Sequence, residues 1–240
     1  MPPMIRPLAA AALLAAALPA SAKDRVPVLV ELFTSEGCSS CPPADDVLAR
    51  LVRDQPVKDV EIVALSEHVD YWDSLGWKDP YSSPIFTERQ EAYGSLLARG
   101  RVYTPQAVVD GRVELIGSDE ALAREAAAKA ATQTHGTLTA QRTGNTLHLE
   151  AKLPAHSGAE ILLASVDDPP AARVARGENA GRTLTHVRVV RELRHVGRTD
   201  QLAWSGDVDL GARAARLRLV AFVQERSSGR VLASASWAGP

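Results

Sequence analysis

Residues 28–33 form an almost unbroken β-branched and apolar run, interrupted only by Glu31, as expected of a strand buried on both faces. Turn-forming residues follow at 34–37, and from Ala44 the apolar positions Val47, Leu48 and Leu51 recur at helical spacing. A second apolar run at 60–65 predicts another buried strand. A strand, helix, strand order requires a right-handed crossover and a parallel pair, so both strands end at the same sheet edge. Residues 69–83, punctuated by Gly76 and Pro80, predict an ordered loop. Residues 84–97 predict a helix with Ser83 as its N-cap, Pro84 at its first position and Gly100 beyond its end. Two short apolar runs at 106–109 and 112–116 flank Asp110-Gly111, a hairpin signal, and 118–131 predicts an Ala-rich helix capped by Ser118.

Beyond residue 133 the period changes from helical to alternating. Leu147, Leu149, Ala151 and Leu153 alternate with polar residues, as do Leu217, Leu219, Ala221 and Val223, which predicts half-buried antiparallel strands. Further strands are expected at 136–141, 159–167, 184–195 and 230–237, with a small β-sandwich as the simplest arrangement. Residues 169–181 read as an irregular connection. The expected organisation is therefore an α/β domain over 23–133 followed by a β-rich domain over 134–240.

Composition narrows the function classes. With 45% hydrophobic and 23% charged residues over 240 positions, and a formal net charge of -2, nothing drives the chain toward nucleic acid or an anionic membrane. Residues 171–230 hold twelve arginines against six acids, interleaved with apolar positions and without an aromatic stacking motif, which predicts the solvent face of strands. Residues 1–22 read as a secretory signal: Arg6, an apolar core over 8–18, and Ala20-Ser21-Ala22 as a small-residue cleavage site. That core is too short to span a bilayer, and no later segment is long enough, so an exported protein, periplasmic or secreted, without a membrane span is expected.

The candidate chemistry is Cys38-Ser39-Ser40-Cys41, placed where the first strand hands over to a helix. A thiol near a helix N-terminus faces unpaired N–H groups and the positive end of the helix dipole, so its thiolate is favoured. Cys38 is the expected attacking thiol and Cys41 the resolving one, acting on a disulfide- or thiol-bearing protein. Pro42 and Pro43 complicate this, because each disfavours helical dihedrals in the residue before it and shifts the helix start away from Cys38. With only two cysteines, a structural zinc site lacks ligands, whereas a static disulfide remains an alternative. A bridge across so short a loop removes little chain entropy, which argues against stability as its purpose. His68 follows the second strand at the same edge, where it is a hydrogen-bonded loop histidine, a proton carrier or, with Cys38 and Cys41, part of a soft-metal set for copper. No phosphate loop or serine-nucleophile elbow occurs, and no cofactor is expected. Residues 71–93 hold six of the eleven aromatics, which either shape a groove beside the thiols or anchor the loop to the core.

Three stretches, 30–45, 68–81 and 103–111, resemble a secreted thioredoxin-like family of bacteria known as domain-of-unknown-function family 1223. They contain Glu-Leu-Phe-Thr-Ser-Glu-Gly-Cys-Ser-Ser-Cys-Pro-Pro, His-Val-Asp-Tyr-Trp and Tyr-Thr-Pro-Gln respectively. The resemblance covers most of the mature chain and implies a thioredoxin-like domain with a β-rich C-terminal part, without an established reaction. It also implies a cis bond at Thr104-Pro105 facing the cysteines, where main-chain groups of Thr104 hold a partner segment; sequence alone makes trans the default. In similar enzymes a buried acid on the first strand takes a proton from the resolving thiol. Glu31 is the residue in that position, although strict alternation equally allows it to face solvent.

Overall fold

The computed structural model describes residues 25–214 and 216–238; the expected secretory signal over 1–22 lies outside them. The first part runs β1 (Val26–Thr34), α1 (Pro42–Asp54), β2 (Val60–His68), α2 (Pro84–Leu97), β3 (Gln106–Val109), β4 (Val113–Ile116) and α3 (Glu120–Ala131). The second is nearly all strand: β5 (Thr137–Thr143), β6 (Thr146–Lys152), β7 (Ala159–Asp167), β8 (Ala172–Arg173), β9 (Thr183–Leu184), β10 (Val189–Thr199), β11 (Ala203–Asp209), β12 (Arg218–Glu225) and β13 (Val231–Trp237).

The expected architecture, a thioredoxin-like domain followed by a separate β-rich domain, is wrong. Strands from both parts share one eight-stranded mixed sheet in the order β13-β12-β7-β10-β2-β1-β3-β4. The junction is the parallel contact of β10 with β2, where Val189 lies opposite Ser66 and the Ser66 N–H donates to the Arg188 carbonyl at 2.8 Å. β2 is buried almost throughout, so leaving its outer edge unpaired would strand backbone groups away from water. The second part supplies the partner at Ser66, and the Gln55 side chain supplies those of the Ile62 N–H and carbonyl. Periodicity reports which way a strand's side chains point and is silent about which strand lies beside it, which is why the division into two units looked natural.

β1 separates two cores. Its even positions, Val28, Val30 and Leu32, pack with Val47, Leu48 and Leu51 of α1 and with Ala123, Ala127 and Ala130 of α3. Its odd positions Leu29 and Phe33 face the other way, Leu29 joining Phe86 of α2 and Phe222 of β12. A three-stranded sheet, β11-β6-β5, covers the remaining face of the C-terminal strands through Leu147, Leu149, Ile161 and Leu163. The two turns at the sheet ends also meet: the Val231 N–H donates to the Asp110 carbonyl, and Gly111, at φ +60, has the Gly229 carbonyl 1.9 Å from where a Cβ would stand. A side chain at Gly111 is excluded on both counts.

Ser83 caps α2 as expected, accepting from the Ile85 N–H at 3.4 Å, while α3 is capped by Asp119 and not by Ser118. Among the described residues no helix is long and apolar enough to cross a membrane.

Candidate functional site

Cys38 and Cys41 are joined in a disulfide at the end of β1. Cys41 is the N-cap residue of α1 and its carbonyl accepts from the N–H groups of Ala44 and Asp45; Pro42 starts the helix, so Cys38 lies in the preceding turn, three residues further from the helix than its partner. Two hydroxyls converge on its sulfur instead. Thr104 Oγ1 donates to Cys38 Sγ at 3.3 Å, and Ser40 Oγ lies 3.4 Å from the same atom. The Thr104-Pro105 peptide is cis and places Thr104 against the turn, where the Thr104 carbonyl accepts from Ser40 Oγ.

The pair is closed off. Both cysteines are 0% exposed, although Ser39 and Ser40 between them face solvent. The sequence pointed to thiols open to another molecule, and two segments prevent that here. From one side Trp72 packs on Gly37 and donates its Nε1–H to Thr104 Oγ1 at 2.9 Å, while Trp77 donates to Glu36 Oε2 at 2.7 Å. From the other comes the tip of the β8–β9 hairpin, the stretch that reads as an irregular connection. Asn179, fully buried, donates both amide hydrogens, to the Glu36 and Cys38 carbonyls at 2.9 Å each, and its Oδ1 accepts from Arg182. Glu178 accepts from the Ser39 N–H at 3.1 Å. The hairpin tip therefore occupies the main-chain groups of the turn that carries the sulfurs.

Beneath the turn is a buried ionisable cluster. His186, just past β9, sits between two carboxylates, Nε2 3.4 Å from Glu36 Oε1 and Nδ1 3.6 Å from Asp45 Oδ2. Neither contact has hydrogen-bond geometry, so Glu36 Oε1 and both His186 nitrogens lack a bonded partner. Burial opposes the charge on His186, but the two carboxylates outweigh it and hold its pKa up to about 10. The next residue in the cluster is His68, its ring 4.8 Å from that of His186, with Nδ1 2.7 Å from Asp79 Oδ2. Burial alone would push the Asp79 carboxyl up; His68 and the N–H groups of Glu36 and Tyr81 more than offset it and hold it below its ordinary value.

The structure brings Cys38, Cys41, Thr104 and Pro105 together and leaves Glu31 apart. Its side chain lies with the odd positions of β1, on the sheet face opposite α1. There it accepts from Arg89 Nε and from the Tyr93 hydroxyl, both at 2.6 Å. Its neighbour Glu67 is 3.6 Å from Arg89, and burial first, then the Glu31 charge, push its pKa well above the ordinary value. The alternative metal set is not assembled: both sulfurs are bonded to each other, and among the described residues no group of three or more His, Cys, Asp or Glu is arranged to hold a metal ion. Sequence reasoning missed Trp72 as a direct partner of Thr104, and missed Glu36, Asp45, Asp79, Asn179 and His186. The only available signal was that Glu36 and Asp45 flank the cysteines closely.

The family model described as "Protein of unknown function (DUF1223)" matches residues 29–224. A protein of Agrobacterium tumefaciens, whose crystal structure was determined as a structural-genomics target, superposes with a TM-score of 0.76 at 27% identity, over 91% of this chain and 97% of that one. No curated protein matches. The family match runs from β1 through the cysteine turn, the Thr104-Pro105 stretch and the hairpin to β12, and on it the chain belongs to the DUF1223 family.

Proposed function

We propose that this protein exchanges disulfides with thiol-bearing protein partners through Cys38 and Cys41, in an oxidising compartment outside the cytoplasm, and that the β8–β9 hairpin must lift before a partner's sulfur can enter. The observation that carries the reading is the convergence of the Thr104 and Ser40 hydroxyls on Cys38 Sγ. A sulfur that leaves as a thiolate needs such donors; a permanently bridged one does not.

In the forward direction a partner thiolate attacks Cys38 Sγ, the Cys38–Cys41 bond breaks, and Cys41 departs with the electron pair and takes up a proton. The partner's second thiol, losing its proton, then attacks its own sulfur in the mixed disulfide and expels Cys38 as a thiolate, held by Thr104 and Ser40. The partner is oxidised by two electrons and the cysteine pair is reduced; the same steps in reverse oxidise the pair. Which direction prevails depends on the potential of the pair against that of its compartment. Export rests on the secretory-type segment over 1–22 and accords with an intramolecular disulfide.

One observation favours a second reading, a disulfide that never cycles: neither cysteine is exposed. The two readings separate on trapping. Cys41→Ser protein, expressed in its native compartment with and without Asn179→Ala, is expected to accumulate reducible adducts through Cys38, more of them when Asn179 is removed. Absence of adducts in both backgrounds contradicts exchange.

A further inference from the structure

We infer that Trp72 is a positioning residue for the reactive sulfur: its indole N–H occupies one lone pair of the Thr104 hydroxyl and so biases that hydroxyl's hydrogen toward Cys38. This rests on the exchange reading, because orientation of a donor matters only if Cys38 becomes an anion. The geometry is a chain of three groups, Trp72 Nε1 to Thr104 Oγ1 at 2.9 Å and Thr104 Oγ1 to Cys38 Sγ at 3.3 Å.

A threonine hydroxyl has one hydrogen and two lone pairs and normally rotates to suit its surroundings. An indole nitrogen donates and cannot accept. With the Trp72 N–H on one lone pair, the hydroxyl hydrogen must point away from the indole, toward the sulfur or toward the nearby Tyr71 hydroxyl, which itself donates to Gln90. Ser40 Oγ has no such constraint, since it reaches both Cys38 Sγ at 3.4 Å and the Thr104 carbonyl at 3.4 Å, and its single hydrogen serves one of them at a time. Thr104 is thus the more constrained donor and Ser40 the adjustable one. Trp72 is held in turn by its packing on Gly37, where even a Cβ would approach Trp72 Cβ to 3.0 Å. A donor fixed before the charge forms costs no reorganisation when it does.

The test is the titration of Cys38 in the full-length Cys41→Ser protein, followed by the ultraviolet absorbance of the thiolate, which needs neither a partner nor access for a reagent. Thr104→Val is expected to raise the Cys38 pKa by about one unit and Trp72→Phe by roughly half that, as befits loss or misorientation of one charge-assisted bond. Thr104→Ser, which keeps the hydroxyl, restores the original value. In the Thr104→Val background Trp72→Phe adds nothing, because its effect passes through the missing hydroxyl. The inference is overturned if Trp72→Phe leaves the titration unmoved when Thr104 is present, or shifts it equally when Thr104 is absent. Trapping that captures no partner defeats the exchange reading and leaves this titration standing, while an unmoved titration defeats the role of Trp72 and leaves any trapped partner standing.

Discussion

The central sheet carries a buried polar cluster on each side of β1 and β2, and the two are built on different terms. Around Arg89, Glu31 uses both carboxylate oxygens, on Arg89 and Tyr93, and the guanidinium also donates to Gln224 and to the Tyr93 hydroxyl. Its second acid, Glu67, has both carboxyl oxygens without a bonded partner, and burial first, then the Glu31 charge, push its pKa well above the ordinary value. Around His186 three carboxylates share two imidazoles, and Glu36 Oε1, His68 Nε2 and both His186 nitrogens lack bonded partners. The first cluster, in which Arg89, Glu31 and Tyr93 all bond to one another, ties α2 to β1 and β12. The second, with more of its polar atoms unpartnered, lies under the disulfide, where the hairpin docks. Incomplete pairing costs stability, and more of it sits where the exchange reading requires a part of the molecule to move.

The sharpest way to break this contrast is Arg89→Met. Removing the guanidinium leaves Glu31 buried without its counter-charge, and a loss of about 3–5 kcal/mol in denaturant unfolding is expected, with the reduced Cys38 titration unchanged. A Cys38 response as large as the stability loss would mean that the two clusters are one.

His186 comes next, through pH. Its folded pKa of about 10 stands above the ordinary 6.5, so the folded protein retains a proton that the unfolded chain releases. Its contribution is fully present below pH 6.5 and is lost as pH rises toward 10, with a slope approaching about 1.4 kcal/mol per pH unit between them. His186→Gln should remove that alkaline slope in unfolding free energy measured across the window. Retention of the slope would place its origin elsewhere. Asn179→Ala should cost about 1–3 kcal/mol by leaving the Glu36 carbonyl without a donor and the Cys38 carbonyl with the Cys41 N–H alone, and should speed reduction of the disulfide by more than its stability loss alone implies. The smallest effect belongs to Glu67→Gln. Burial and the Glu31 charge favour the neutral form of Glu67, which an amide resembles, so stability should change by less than about 1 kcal/mol, and a large loss would show that Glu67 is ionised.

The same contrast marks what the sequence could disclose. β1, α1, β2 and α2 were legible because burial on a local face leaves a period, and Ser83 and Pro84 announce the start of α2 in the chain itself. The cysteine pair was legible because its two halves are three residues apart. Asn179 lies 141 residues from Cys38 and reaches it from a Gly- and Asn-containing hairpin whose local composition says only that a turn occurs. His186 and Asp79 were equally hidden, since long-range polar pairing leaves no period. Glu31 shows the converse failure. Its burial could be suspected from the surrounding run, but the face it points to follows from α2 packing on the side opposite α1. The single-sheet architecture was lost for the same reason, because the pairing of Val189 with Ser66 joins residues that no local pattern relates.

The central claim, that Cys38 and Cys41 form a covered exchange pair and not a staple, is tested most directly by the rate at which a small dithiol reduces the native protein. If the hairpin opens while the rest stays folded, the rate should rise with dithiol concentration to a plateau far faster than global unfolding, Asn179→Ala should raise that plateau, and the reduced protein should stay folded and reoxidise. Reduction that occurs only at the rate of global unfolding, with the same plateau in Asn179→Ala once its stability is accounted for, would contradict the account.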